Sequence, residues 1–364
     1  MRNRLLYTLS FIIFVLIAIP VINAIKDDYG VMGIKYAHLY STEMMSNEEH
    51  FKLKFLTAKG NKKYTNFIFG ESQAQIIPTK AFRDSKEWYN ISGMTFTPYE
   101  YIDTLEYLKK HGVKVKRICM LVQPISSFYS KQTTIEDKKR YFMLTGFPFK
   151  KSEKPKFYAN YIFINPTNKP LKQYQVGLLY KINLFNSGSF DYKQKDNKKN
   201  DKSDKPVFPN SQYFFKTDWP NTEYFEEIRK IIRYCKLNDI EIKVFTSPDY
   251  IVFRNLIPEE KMDYFKKELA KVTDYYDFSN INEITTNYNN YCSYDHFNSD
   301  IASLIIKRIY YENKNTPPSI KGFGDYVPKV IIRKNTTPVN RFEEPVTLTT
   351  VFPANNYLQH LYCW

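Results

Sequence analysis

The sequence predicts an α/β architecture: a mostly parallel sheet with helices on both faces. Three observations carry this. Short β-branched or aromatic runs alternate with amphipathic helical patterns. Glycines and prolines punctuate the junctions. The runs are separated by helix-length stretches, which parallel strands need for their crossovers. The chain has 364 residues, enough for one large domain or two ordinary ones, and its 43% hydrophobic and 17% aromatic content excludes global disorder.

Taken in order, Arg2 and Arg4 precede an uncharged apolar run from Leu5 to Ile25, and Lys26, Asp27 and Asp28 follow it. As a helix this run covers about 31 Å, the thickness of a bilayer's hydrocarbon core. Arginines before the span and mixed charge after it favour a cytoplasmic N-terminus and an exported body. Residues 1–28 therefore read as a single-pass transmembrane helix in the cytoplasmic membrane, with the C-terminal domain in the periplasm or extracytoplasmic space. A signal peptide cleaved after Ala24 is the alternative; Ile22, where a small residue is preferred, and the length of the run count against it.

Residues 29–63 read as a connector with a short helix. Asn66–Phe69 is a short apolar strand, Gly70 ends it, and Pro78–Phe82 begins or continues a helix. Thr97–His111 is an amphipathic helix with Tyr101, Leu105 and Leu108 on one face, a Thr97–Glu100 capping box and Gly112 as terminator. Val113–Val122 is a strand. Helix and strand then alternate through Glu223–Leu237, Ile240–Phe245, Glu259–Lys271, Val272–Phe278 and Asn298–Tyr311. A large insert, 125–220, separates the halves, and its stretch 186–206, opening NSGSFDYKQKDNKKNDKSD, reads as a disordered loop. The tail, 317–364, shows strand character at Lys329–Lys334 and Val346–Val351 but matches no regular pattern.

Composition narrows the function. Four scattered cysteines (Cys119, Cys235, Cys292, Cys363) and five histidines give no zinc spacing, so no metal and no cofactor is expected. Cys119 and Cys235 sit in apolar surroundings and read as buried thiols. The net charge of +15 is spread along the chain without a basic helix or an aromatic RNA-binding signature, so no nucleic acid is expected as partner. A generally solvated basic surface explains this charge most simply; on an anchored body it also suits anionic lipid or an acidic glycan.

In a parallel sheet, ligands bind beyond the carboxyl ends of the strands. Ser72, in FIFGESQAQIIP, follows the first strand and its glycine turn; by itself it reads as a helix cap, with the nucleophile as the alternative. A nucleophilic serine needs a base, an orienting acid and donors for an oxyanion. His296, in SYDHFN, follows the last expected strand and opens the final helix, so both belong on one rim with the loops at Gln123 and Ser247.

This pattern resembles the SGNH (GDSL-like) hydrolase superfamily, in particular its membrane-anchored envelope branch, which includes relatives of the alginate O-acetylation proteins and the teichoic acid D-alanylation protein. The resemblance runs from about Asn66 to Tyr311, leaving out the insert, and implies a three-layer flavodoxin-like fold. FIFGESQAQIIP is similar to the first block, with Ser72 as nucleophile. WYNISGMTF is similar to the second, implying an oxyanion N–H at Gly93 with support from Asn90. SYDHFN resembles the last block, making His296 the base. Glu71 stands where Asp or Ser is usual. The third block is replaced by Gln123-Pro124-Ile125-Ser126, leaving Gln123 or Ser126 as substitutes. The family's acid falls at Ser293, so Asp295 either serves as acid by another geometry or shapes the loop, or Ser72 and His296 work as a dyad.

The resemblance implies a serine esterase or O-acyltransferase acting on a cell-envelope or extracellular polysaccharide; Trp88 and the many tyrosines read as core residues first, with stacking on sugar rings as the alternative. The expected partners are an acylated glycan, the membrane through the N-terminal helix, and a membrane-bound acyltransferase. The alternative is a catalytically inactive SGNH-like glycan-binding or assembly protein that partners a membrane-bound acyltransferase.

Overall fold

The computed structural model describes residues 2–26, 48–58, 61–93, 96–140, 155, 159, 180–182, 187–192, 217–293 and 295–330. Helix α1 (Arg2–Lys26) carries exposed apolar side chains, and Asn3–Ile25 is long and apolar enough to cross a membrane. Helix α2 (Glu48–Thr57) precedes β1 (Asn66–Phe69), the single turn α3 (Ser72–Gln75), β2 (Trp88–Asn90), α4 (Pro98–Lys110) and β3 (Arg117–Val122). Helix α5 (Lys131–Arg140) and an antiparallel pair, β4 (Tyr180–Ile182) and β5 (Phe190–Tyr192), belong to the insert. Then come α6 (Thr222–Leu237), β6 (Glu241–Thr246), α7 (Ile251–Arg254), α8 (Glu259–Val272) and β7 (Tyr275–Asp277). A small hairpin of β8 (Tyr291–Ser293) and β9 (His296–Phe297), then α9 (Ser299–Tyr311) and β10 (Asp325–Val327), complete the described chain.

Six strands form the main sheet in the order β10-β7-β6-β3-β1-β2. Every neighbouring pair is parallel except β10 with β7. From β1 the chain goes outward to β2, then crosses back to β3 on the other side, so the direction of strand addition reverses between β1 and β3. In an open parallel sheet that reversal opens a crevice beyond the strand ends.

Alternation along the strands builds the layers. Phe67, Phe69, Ile118, Met120, Val122 and Val244 face a core with α2, α4, α6 and α8. Ile68, Cys119, Leu121 and Phe245 face the opposite core, filled by Ile301, Ile305 and Ile309 of α9.

Several expectations shift. The Thr97–Glu100 capping box does not form. Pro98 starts α4, and the Thr97 hydroxyl is buried with no partner among the described residues. Pro78–Phe82 yields only a 3-10 turn at Thr79–Ala81. Of Val113–Val122 only the second half pairs as a strand, the approach being pinned by Lys116 N–H on Thr65 O at 2.7 Å. The loop expected to be disordered over 186–206 is ordered at its start. Ser187 O accepts from Asn90 N–H at 2.7 Å, Ser189 Oγ donates to Ile77 O at 2.9 Å, and β5 follows. Residues 193–206 lie outside the described residues.

The helix expected in a connector instead buries Leu53, Phe55 and Leu56 in the domain core. At the other end the sheet extends past 316. Strand β10 pairs antiparallel with β7, and Phe323 packs in the α9-side core. The strand expected at Val346–Val351 and most of that at Lys329–Lys334 lie outside the described residues.

Gly70 is the junction between β1 and α3. Its φ is 155°, and a Cβ there would lie 2.5 Å from Ala74 Cβ and 3.0 Å from Leu121 Cβ. Both backbone conformation and space demand glycine. Gly70→Ala is expected to cost about 2–4 kcal/mol of stability. Urea unfolding of the detergent-solubilised chain measures this, and a loss under about 0.5 kcal/mol, the scale of an ordinary surface change, would contradict it.

Candidate active site

The rim at the β1/β3 crevice is assembled from the segments after β1, β2, β3 and β6 and from the β8–β9 hairpin. Ser72 opens α3 and is half-buried. A four-residue helix cannot hold itself, because helix nucleation is unfavourable and one turn recovers little of that cost. No side chain caps α3 at Glu71. Asn90 instead braces its far end. This fully buried side chain donates through Nδ2 to Ala74 O at 2.7 Å, Gln75 O at 3.3 Å and Ile77 O at 3.1 Å, and its Oδ1 accepts from Ser92 N–H at 3.1 Å. Asn90 thus supports the Ser72 turn by holding its carbonyls, and its amide donor is consumed in doing so.

His296 is buried on β9, and residues of α3 and β9 approach within 8 Å between Cα atoms. The fold therefore brings the Ser72 turn and the histidine strand to one rim. Asp295, the residue immediately before, places Oδ1 2.7 Å from His296 Nδ1. Adjacent residues reach each other because they sit at the reversal of a tight β8–β9 hairpin, whose register is irregular between Tyr291 and Ser293. With Nδ1–H donated to Asp295, a neutral ring carries its lone pair on Nε2, the arrangement a base requires.

Gly93 is placed differently from the donor role implied above. Its N–H donates to Gly70 O at 3.2 Å. A Cβ at Gly93 would collide with the Glu49 carboxylate. The segment is packed under α2 by a buried polar cluster. Lys52 Nζ donates to Ser92 O at 2.5 Å and lies 3.8 Å from Glu48 Oε2, while Gln75 Nε2 donates to Glu48 Oε1. Burial pushes the Lys52 ammonium below the usual lysine range, and Glu48 and Glu49 pull it back. Gly93 and Lys52 thus tie the second loop to the first.

Gln123 ends β3 and is buried; its Oε1 accepts from Ser126 Oγ at 3.2 Å. With Oε1 taken, Nε2 is the end of this amide that can donate. Trp88 is fully buried, stacked on Phe82 at 3.8 Å between centroids with Nε1 on Asp84 Oδ1, so it belongs to the core and is not a sugar platform. Among the described residues no group of three or more His, Cys, Asp or Glu is placed to hold a metal ion. Cys119 and Cys235 are free, buried thiols, as expected.

Sequence reasoning missed Asp249. It lies in the loop after β6, is buried, and accepts from Gln73 Nε2 at 2.8 Å, one residue beyond Ser72. Burial pushes its carboxyl up to about 6; the Gln73 bond and Arg254 oppose this, and Asp295 adds to it. The available signal was Thr246-Ser247-Pro248-Asp249 at a strand's carboxyl end, noted as a rim loop without its acid.

No protein-family model matches the chain, and no curated protein matches it.

The raised carboxyl has a measurable consequence. The unfolded chain ionises this group near 3.9, the folded chain near 6, so the penalty is absent below about pH 4 and complete above about pH 7. Asp249→Asn, which keeps an acceptor for Gln73, should therefore stabilise the protein at pH 8 by up to about 3 kcal/mol and by nothing at pH 4. Urea midpoints at the two pH values check this; equal shifts at both would contradict it.

Proposed function

We propose that the chain is a membrane-anchored, exported SGNH-like serine esterase or O-acyltransferase acting on acylated polysaccharide of the cell envelope. The observation that carries this reading is the pairing of His296 with Asp295 on the strand packed against the Ser72 turn. The order of the parallel strands, β2-β1-β3-β6-β7, is the flavodoxin-like 2-1-3-4-5 order when the main-sheet strands alone are counted, and it supports the fold assignment. The apolar helix α1 supports the anchor.

In the proposed reaction Ser72 Oγ attacks the carbonyl carbon of an acyl ester as its proton passes to His296 Nε2, and Asp295 stabilises the imidazolium formed. The oxyanion is met by the Ser72 backbone N–H and the Gln123 amide, since Gly93 N–H is engaged with Gly70 O. The proton returns to the leaving alcohol as the C–O bond breaks, giving an acyl-serine. Water or a sugar hydroxyl then attacks that acyl group, passing its proton through His296 and freeing Ser72. Water makes the protein an esterase, a sugar hydroxyl an O-acyltransferase. A membrane-bound acyltransferase is the partner that would supply acyl groups to the latter.

The engaged Gly93 N–H favours a second reading, an SGNH-like glycan-binding or assembly protein without turnover. Labelling with a fluorophosphonate separates the two. Ser72 of the detergent-solubilised chain should react, Ser72→Ala and His296→Ala should reduce labelling to background, and Asp295→Asn should slow it by about 10²–10⁴-fold. Unlabelled wild type, beside a control esterase that labels, would leave the binding reading standing.

A further inference from the structure

Asp249 is buried and unused by the proposed reaction, yet its loop touches both halves of the site. On one side its Oδ1 accepts from Gln73 Nε2 at 2.8 Å, within the turn that begins at Ser72. On the other, Pro248 O accepts from Tyr291 OH at 2.9 Å on β8, and Ile251 N–H donates to Thr285 O at 2.8 Å. Strand β8 is the first arm of the hairpin that carries Asp295 and His296. The loop after β6 therefore links the serine turn to the histidine hairpin, two elements too short to fix their own geometry.

We infer that Asp249 is a positioning residue of the site. Through Gln73 it locks the Ser72 turn against the loop that also holds the His296 hairpin. The inference rests on the esterase reading for its catalytic meaning.

The chemistry of the pair makes the lock directional. An ionised carboxylate only accepts, so the Gln73 amide must present its NH2 group, and Gln73 Oε1 is left buried without a partner among the described residues. The amide cannot flip without setting oxygen against oxygen. Gln73 and Asn90 hold α3 from opposite sides, one through a side chain near its start and one through the carbonyls at its end. Arg254, Asp295 and Tyr291 act electrostatically with Asp249 from α7, the hairpin turn and β8. The lock uses the acceptor oxygen at position 249; an amide there supplies it equally well.

The test compares Asp249→Ala, Gln73→Leu, their double variant and Asp249→Asn in the full detergent-solubilised chain. Two readouts are followed: the rate of fluorophosphonate labelling, and backbone hydrogen exchange in peptides covering 70–77 and 291–297, with β3 as internal reference. Asp249→Ala and Gln73→Leu should each slow labelling by about tenfold or more. Each should raise exchange in 70–77 by about tenfold while β3 stays unchanged. The double variant should be no worse than either single change, and Asp249→Asn should label within about twofold of the wild-type rate and exchange no faster than wild type in 70–77. Wild-type rates in Asp249→Ala, or an Asn variant as impaired as Ala, would overturn the inference. If Asp249→Ala loses protection in β3 as well, Gln73→Leu decides from the other end of the bond. If wild type resists the probe, the esterase reading fails while the exchange comparison still decides the lock.

Discussion

The end of β1 is the constraint on which the rest depends. A strand flanked on both sides in a parallel sheet must leave the sheet without colliding with its neighbour, and β1 does so through Gly70, at a φ of 155° and packed against Leu121 of β3 and Ala74 of α3. Because β2 and β3 lie on opposite sides of β1, the residues after Gly70 emerge into the crevice between them. Ser72 is thereby set at the rim by topology before any side-chain chemistry is considered. Asn90 and Asp249 brace the one turn that follows, and β9 brings His296 beside it.

That holding is done with buried polar groups, which gain little net stability and cost much when left unpaired. Asn90 meets the carbonyls of α3, Lys52 and Glu48 tie α2 to the Ser92 loop and Gln75, and Asp249 meets Gln73. An apolar rim would be cheaper, and burial of the Asp249 carboxyl penalises its ionised form. Polar bonds have direction, however, and direction is what a one-turn helix cannot supply for itself.

Much of the fold was legible because strand and helix periods are strong signals over apolar runs. Asn66–Phe69 could be read to the residue, and the helices at Pro98–Lys110, Thr222–Leu237, Glu259–Val272 and Ser299–Tyr311 to within a residue or two. The three-residue β10 and the start of the 186–206 loop were not, because such short segments gain their order from pairing with β7 and with Asn90 and Ile77, contacts that local sequence does not encode. At the site, the turn that places Ser72 after β1 was legible, whereas His296, expected to open the final helix, lies on the two-residue strand β9, whose pairing with β8 local sequence does not encode. The Asp295 contact depends on an irregular hairpin, and Gly93's N–H is turned toward Gly70 by backbone geometry. Asp249 is a lone acid in a strand-end loop, and only the tertiary fold sets it against Gln73.

The account turns on whether the serine turn and the histidine strand meet closely enough to exchange a proton. A crystal structure of the chain would measure this most directly, through the separation of Ser72 Oγ and His296 Nε2. The account predicts about 3 Å, or one intervening water, with Nδ1 still on Asp295. A separation beyond about 6 Å across an ordered rim would contradict it.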